Sequence, residues 1–376
     1  MRAKKKVLII TNSLLFGGVE RLVVSTARLM MKKSRYYPIV CNLTGWEDIQ
    51  DELESYNIEY YSLNRGNLRK GISKTVLEVR HLIKKCKPNI IHTHQFASDF
   101  FGALASLGFS IPVVSHIHNP RGETWFRRKI RYALSKYLIH TFIAVTEEKG
   151  QELAKLVPSV KDRVFILHNA IDTQNLQLPK NYSRESYRNS LNIPIDAFVI
   201  GTVGRLCWEK GYDLLLRAFK KILNRYPDAF LVIVGRGPEE KELKILAKSL
   251  GVTSRVVFTG FRRDIAPVVS TFDLFVVSSR EESFPLVSLE AMYLGIPTII
   301  TNALSSKNIL SPGTFIVSPT ADGLAKGIMS LIDKKDLRKK IAKRGKALVK
   351  NQFTMESYVT KLEEIYNVVL NRYRWS

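Results

Sequence analysis

The sequence predicts an α/β protein of two doubly wound, Rossmann-like domains facing across a cleft. Three observations lead there. The chain has 376 residues, long for one compact domain and comfortable for two. Short apolar segments alternate with longer helical ones almost throughout. That alternation stops in a polar stretch near the middle and then begins again. A hydrophobic fraction of 45% is ordinary for a globular chain, and no apolar run approaches the roughly 18 residues that span a bilayer.

In the first half the predicted strands are Val7–Thr11, Pro38–Leu43, Asn89–Thr93, Pro112–Ile117, Thr141–Val145 and Val164–Leu167. Between the first two, Glu20–Lys32 sets Leu22, Val23, Ala27 and Met30 on one helical face. Met1–Lys6 has the charge of a leader peptide, but only four apolar residues follow, short of the roughly 7–15 needed, so Val7 opens a buried strand. The second series is Phe198–Val203, Phe230–Val234, Val256–Thr259, Leu274–Val277, Thr298–Thr301 and Phe315–Val317. Asp172–Pro194, polar and without a sustained period, reads as the linker. The expected domains are therefore residues 1–178 and 190–350. A terminal helix over 355–376 carries an apolar stripe that needs a partner surface, and packing back on the first domain would supply one.

Three widely spaced cysteines, Cys41, Cys86 and Cys207, make no metal spacing and predict reduced thiols in a cytosolic protein. The balance of 58 Lys and Arg against 34 Asp and Glu, a net +24, predicts attraction to polyanions.

Ligands of doubly wound sheets bind at the carboxyl ends of the strands, so the chemistry belongs in the strand-to-helix loops. After the strand 274–277 come Glu282, Ser283, Phe284 and Pro285, then a predicted helix with proline in its first turn and a stop at Gly295. The first-turn amides of Leu286 and Val287 make a phosphate site, and Glu290, one turn in, suits ribose hydroxyls. The loop Gly204–Gly211 holds Arg205 and Lys210, two cations for one diphosphate. Gly17 and Gly18, before Glu20, permit close approach of a ligand to the backbone. Gly235-Arg236-Gly237 lacks the third glycine and the later acidic residue of a dinucleotide fingerprint, which disfavours oxidoreductase chemistry. His92, His94, His116 and His118 all fall at strand ends, and most histidines so placed are structural.

Glu282 and Glu290, with seven residues between them, resemble the E-x7-E signature of glycosyltransferase family 4, with Pro285 where that family usually has glycine. Gly204–Gly211 resembles its G-R-L-x-x-x-K-G loop, Gly17–Glu20 its G-G-x-E loop, and Gly235–Pro238 its G-x-G-P loop near the nucleotide. The strand ending in His118 is similar to the family's histidine-Asp strand, with Asn119 replacing the acid. The resemblance implies the GT-B architecture, a retaining transfer from a nucleoside-diphosphate sugar (UDP before GDP), and an α-glycoside product. It implies that Arg205 and Lys210 neutralise the leaving diphosphate, that Gly17, Gly18, Gly235, Phe284, Leu286 and Val287 join Glu290 around the donor, and that Glu282 and His118 orient the sugar. His94 is the acceptor-side candidate. No Asp-x-Asp pair marks a metal site and two cations can do a metal's electrostatic work, so neither metal nor other cofactor is expected.

Arg121, Trp125, Phe126, Arg127, Arg128, Lys129 and Arg131 interleave cations with interfacial aromatics, as on a helix lying against an anionic leaflet. A solvated amphipathic helix is the alternative. Arg65, Arg69, Lys70 and Lys74 would widen such a patch. The expected setting is cytoplasmic, peripheral on the inner face of a membrane, with a glycan or lipid-linked saccharide as acceptor. No nucleic-acid module accompanies the charge. Two rivals stay open: a nucleotide-sugar epimerase on the same fold, and a polyanion-binding protein without chemistry, in which Glu282 and Glu290 would have no task.

Overall fold

The structure, a computed structural model, describes residues 4–118, 130, 133–134 and 136–373. They form two compact units, Met1–Asn169 with Met355–Ser376, and Ala170–Thr354.

The first unit is built on a seven-stranded sheet of β1 (Lys5–Thr11), β2 (Tyr36–Asn42), β3 (Glu59–Ser62), β4 (Ile90–His94), β5 (Val113–Ile117), β6 (Thr141–Ala144) and β7 (Val164–Ile166). All are parallel, in the order β3-β2-β1-β4-β5-β6-β7. β1 is buried from Val7 to Thr11, as a strand covered on both faces must be. Leu8, Ile10, Ile39, Ile91 and Val113 pack there with Val79, Leu82, Ile83 and Phe101 from crossover helices. The edge strand β3 reads Glu-Tyr-Tyr-Ser and is only half-buried throughout. It has no apolar run, which is why the sequence did not mark it.

The second unit carries β8 (Val199–Val203), β9 (Phe230–Val234), β10 (Val256–Gly260), β11 (Leu274–Val277), β12 (Thr298–Thr301) and β13 (Phe315–Val317), parallel in the order β10-β9-β8-β11-β12-β13. Its core joins Ile200, Leu231, Ile233, Leu274 and Ile299 to Leu215, Leu216, Phe219, Leu324 and Ile328. In each sheet the strand order reverses once, between β1 and β4 and between β8 and β11. There the following loops diverge and leave room for a ligand.

Two expectations need correction. The units divide at Asn169/Ala170 rather than near residue 180, and the stretch read as a linker is anchored. Within it the helix Arg184–Ser190 places Arg188 in the interior. Its guanidinium donates to Thr271 O at 2.6 Å, Ile195 O at 2.6 Å, Ala197 O at 3.0 Å and Asp273 Oδ2 at 2.8 Å. A single buried cation satisfying carbonyls leaves no periodic trace in a sequence. The helix Lys335–Gln352 belongs to the second unit, and the helix Met355–Tyr373 buries Tyr358, Leu362, Ile365 and Tyr366 in the first. Ile171 N–H donates to Phe353 O at 3.0 Å, so the two passages of the chain between units run side by side.

Removing one partner of a buried ion pair typically costs about 3–5 kcal/mol. Arg188→Ala is expected to lose stability toward the lower end of that range in urea unfolding. Arg184→Ala, whose side chain is 44% exposed beside the same aspartate, should change it by less than about 1 kcal/mol.

Candidate active site

In the second unit the loops after β8 and β11 flank the reversal point. The β8 loop is locked to its neighbour: Gly204 N–H donates to Val234 O at 3.0 Å and Leu206 N–H to Arg236 O at 2.9 Å. This packing dictates Gly235, whose φ is +138° and whose added Cβ would stand 1.9 Å from Gly204 O. Gly211, at φ +65°, likewise leaves no space, its added Cβ falling 2.3 Å from Ser278 O. Ser278 Oγ donates to Lys210 O at 2.8 Å, so the two predicted donor loops form one body.

On that body Arg205 is exposed, whereas the Lys210 ammonium pairs with the Glu282 carboxylate. Glu282 also accepts from Ser279 Oγ at 2.8 Å, and Ser305 N–H donates to its carbonyl at 2.9 Å. Lys210, expected at phosphate, and Glu282, expected at sugar, are here each other's partner. Sequence reasoning did not find Arg280. Its guanidinium grips both oxygens of Asp213 at 2.7 Å, lies 5.0 Å from the Trp208 ring centroid and donates to Trp208 O at 2.9 Å. Burial raises the Asp213 pKa, but the Arg280 hydrogen bonds and charge outweigh it and hold that carboxyl low.

The helix Leu286–Tyr293 follows, with Pro285 as its N-cap rather than inside its first turn. Ser288 turns back on Pro285 through both N–H and Oγ, so the first-turn N–H groups of Leu286 and Val287 have no intrahelical acceptor. Glu290, one turn in, is only 4% exposed. Phe284 is buried, its ring meeting Phe353 edge-on at 5.7 Å.

In the first unit the corresponding loops follow β1 and β4. The helix Gly18–Lys33 starts earlier than its apolar face indicated, with Gly17 as N-cap. Glu20 folds back over it, and an added Cβ at Gly17 would lie 2.3 Å from Glu20 Oε2. Ser13 Oγ donates to Glu20 at 3.3 Å. Asn12, unmarked in the sequence, joins the two loops by donating to Gln95 Oε1 at 2.7 Å and accepting from Ser98 N–H at 3.0 Å and Ser98 Oγ at 2.8 Å. Gln95 sits at φ +74°, ψ 163°, a region that glycine normally occupies, and strain of this kind gathers at ligand sites. A backbone dihedral of this sort has no sequence signal.

His118 lies one residue beyond β5. His94 stands behind it, 3% exposed, with its Nδ1 3.0 Å from His118 Nε2. His94, the acceptor-side candidate, is thus nearly buried and tied through Nδ1 to His118. Burial holds His118 neutral, its pKa down at about 4. Arg121, Trp125, Phe126, Arg127, Arg128, Lys129 and Arg131 lie outside the described residues. Of the second basic cluster, Arg65 pairs with Glu78 while Arg69, Lys70 and Lys74 are exposed.

Residues 183–348 match the family of glycosyl transferases group 1, and residues 16–175 match glycosyltransferase family 4. Between them these matches take in every motif loop above. The chain belongs to glycosyltransferase family 4. This family 4 glycosyltransferase is 24% identical over 375 residues to the UDP-Gal:alpha-D-GlcNAc-diphosphoundecaprenol alpha-1,3-galactosyltransferase of Escherichia coli, covering 95% of this chain and 96% of the relative. It is 27% identical over 317 residues to the capsular polysaccharide biosynthesis glycosyltransferase CapM of Staphylococcus aureus, covering 79% and 81%. Among solved structures, Anabaena HepE in complex with UDP and glucose superposes with a TM-score of 0.86 at 21% identity, over 97% of this chain and all of that one. The fold is GT-B.

Burial raises the Glu20 pKa above its ordinary value of 4.5, with the Ser13 and Gln95 hydrogen bonds only partly opposing it. A raised folded-state pKa gives stability that is fully present below that ordinary value and lost as pH rises through the folded one. Glu20→Gln, isosteric and uncharged, is therefore expected to melt above the parent at pH 7 and level with it at pH 4.

Proposed function

We propose that this glycosyltransferase moves a hexose or N-acetylhexosamine from a UDP-sugar to a hydroxyl of a glycan or lipid-linked saccharide, retaining the anomeric configuration. The observation that carries the reading is the body formed at the β8/β11 reversal point. There an exposed Arg205, the Lys210–Glu282 pair and the first-turn amides of Leu286 and Val287 stand on loops fixed to one another. Negative charge grows on the departing diphosphate as the glycosidic bond breaks. Fixed cations and amides aimed at that oxygen stabilise the transition state more than the ground state.

Lys210 would turn from Glu282 toward phosphate as donor enters, freeing a carboxylate to accept from sugar hydroxyls. Glu290 would receive the ribose, and neutral His118 would orient the transferred sugar. No carboxylate stands as an isolated nucleophile in these loops, which favours same-face attack with the leaving phosphate taking the acceptor proton. Two basic side chains make the step independent of a metal at the diphosphate. UDP is preferred because HepE is described with UDP and with UDP-glucose and the Escherichia coli relative is named for UDP-Gal. The name of that relative also includes a diphosphoundecaprenol acceptor, and CapM is named for capsule synthesis, so a cell-envelope or capsule polysaccharide pathway is the favoured setting. A lipid acceptor suits the net charge of +24 and a peripheral position on the cytoplasmic membrane face. Among the described residues no helix is long and apolar enough to cross a membrane.

The test is a thermal-shift panel with UDP, GDP, ADP and their sugars, each with and without EDTA. The expected result is a rise with UDP and a UDP-sugar whose increment over the ligand-free sample survives EDTA. Arg205→Ala should abolish the increment and Glu290→Gln should reduce it several-fold in affinity. An increment that appears only without EDTA would end the metal-free reading, and none with any nucleotide would end the donor assignment.

A further inference from the structure

Four imidazoles meet on one face of the first unit's sheet. His92 and His94 stand two residues apart on β4, His116 and His118 two apart at the end of β5, and His94 is in register with His116. All four side chains therefore rise from the same face. Their neighbouring ring centroids are 4.4–5.6 Å apart. The helix Met355–Tyr373 roofs them with Tyr358 and Tyr366.

The hydrogen bonds of the rings follow one pattern. Nδ1 of His92 meets Tyr366 OH at 2.6 Å, Nδ1 of His94 meets His118 Nε2 at 3.0 Å, and Nδ1 of His116 faces Tyr358 OH at 3.5 Å. Each of these partners can accept a proton. The Nε2 atoms of His92 and His116 are buried and have no hydrogen-bond partner among the described residues. Donor atoms of His92, His94 and His116 lie within 4.8 Å of one another. Buried imidazole nitrogens left without a partner are costly, and an electrophile bound within the cluster would answer them.

We infer that His92, His94 and His116 form a three-histidine site for a first-row divalent transition ion, bound through Nε2, with an oxygen donor completing the shell. A metal-bound imidazole characteristically donates its other N–H to a nearby acceptor, and all three Nδ1 atoms have one in place. An all-imidazole donor set suits zinc, copper, nickel or iron, and not magnesium or calcium, which take oxygen ligands. At a zinc–nitrogen distance of about 2.0–2.1 Å, tetrahedral neighbours stand roughly 3.3 Å apart, so the donors must draw together. The His92 and His116 planes, now 9° apart, must also turn about χ2. With the ion on His94 Nε2, the His94 proton resides on Nδ1 and is donated to His118 Nε2. The remaining proton of His118 then sits on Nδ1, a buried atom with no partner in the cluster. The ion would thus set which face His118 offers; this last step rests on the sugar-orienting role proposed for His118, while the site itself does not.

The full chain, stripped with chelator and dialysed, would be titrated with Zn2+ by calorimetry, its stoichiometry checked by elemental analysis and its geometry by Co2+ visible absorption. One ion per chain is expected. The dissociation constant should rise about tenfold or more in Tyr366→Phe, which keeps the ring and removes only the supporting hydroxyl. It should rise further in His92→Gln and His116→Gln, and stay unchanged in His81→Gln, at an exposed histidine outside the cluster. Absence of stoichiometric uptake by folded protein, or an affinity indifferent to both His92→Gln and His116→Gln, would overturn the site. None of these readouts involves a nucleotide, so they stand or fall separately from the donor assignment.

Discussion

Every strand of a parallel sheet ends on the same edge, and wherever strand order reverses, two successive loops part company at that edge. The rest of this molecule depends on that constraint. It decides that Asn12 and Gln95 meet in the first unit, at β1 and β4, and that Gly204–Gly211 meets Ser278–Leu286 in the second, at β8 and β11.

Loops brought this close must be narrow, and the glycines follow from that requirement. Gly235 and Gly211 combine left-handed φ values with backbone carbonyls where a Cβ would be. The same closeness leaves charged side chains few alternatives to one another, so Lys210 settles on Glu282 and Arg280 on Asp213. These pairs differ in kind. The planar fork of Arg280 holds a fixed geometry at both oxygens, whereas the ammonium of Lys210 is a point charge on a flexible stem that can exchange one anion for another.

Much of this was legible in the sequence. Continuous apolar runs gave twelve strands, and the restart of their alternation gave two sheets. The spacing of Glu282 and Glu290, and of Arg205 and Lys210, gave the second unit's loops because that chemistry resides in residue type and interval. What escaped was information held in three dimensions. β3 lies at an edge and needs no apolar run, Arg188 is held by carbonyls far along the chain, and Gln95 owes its place to a dihedral angle. His94 and Phe284 were legible as residues near the site, but which atoms they spend on neighbours was not.

The first unit is not continuous in sequence: its last helix follows the whole of the second. Tyr358 and Tyr366, which roof the histidine cluster, thus come from a segment that follows residues 170–354 in the chain, and that face of the first sheet stays uncovered until this segment is in place.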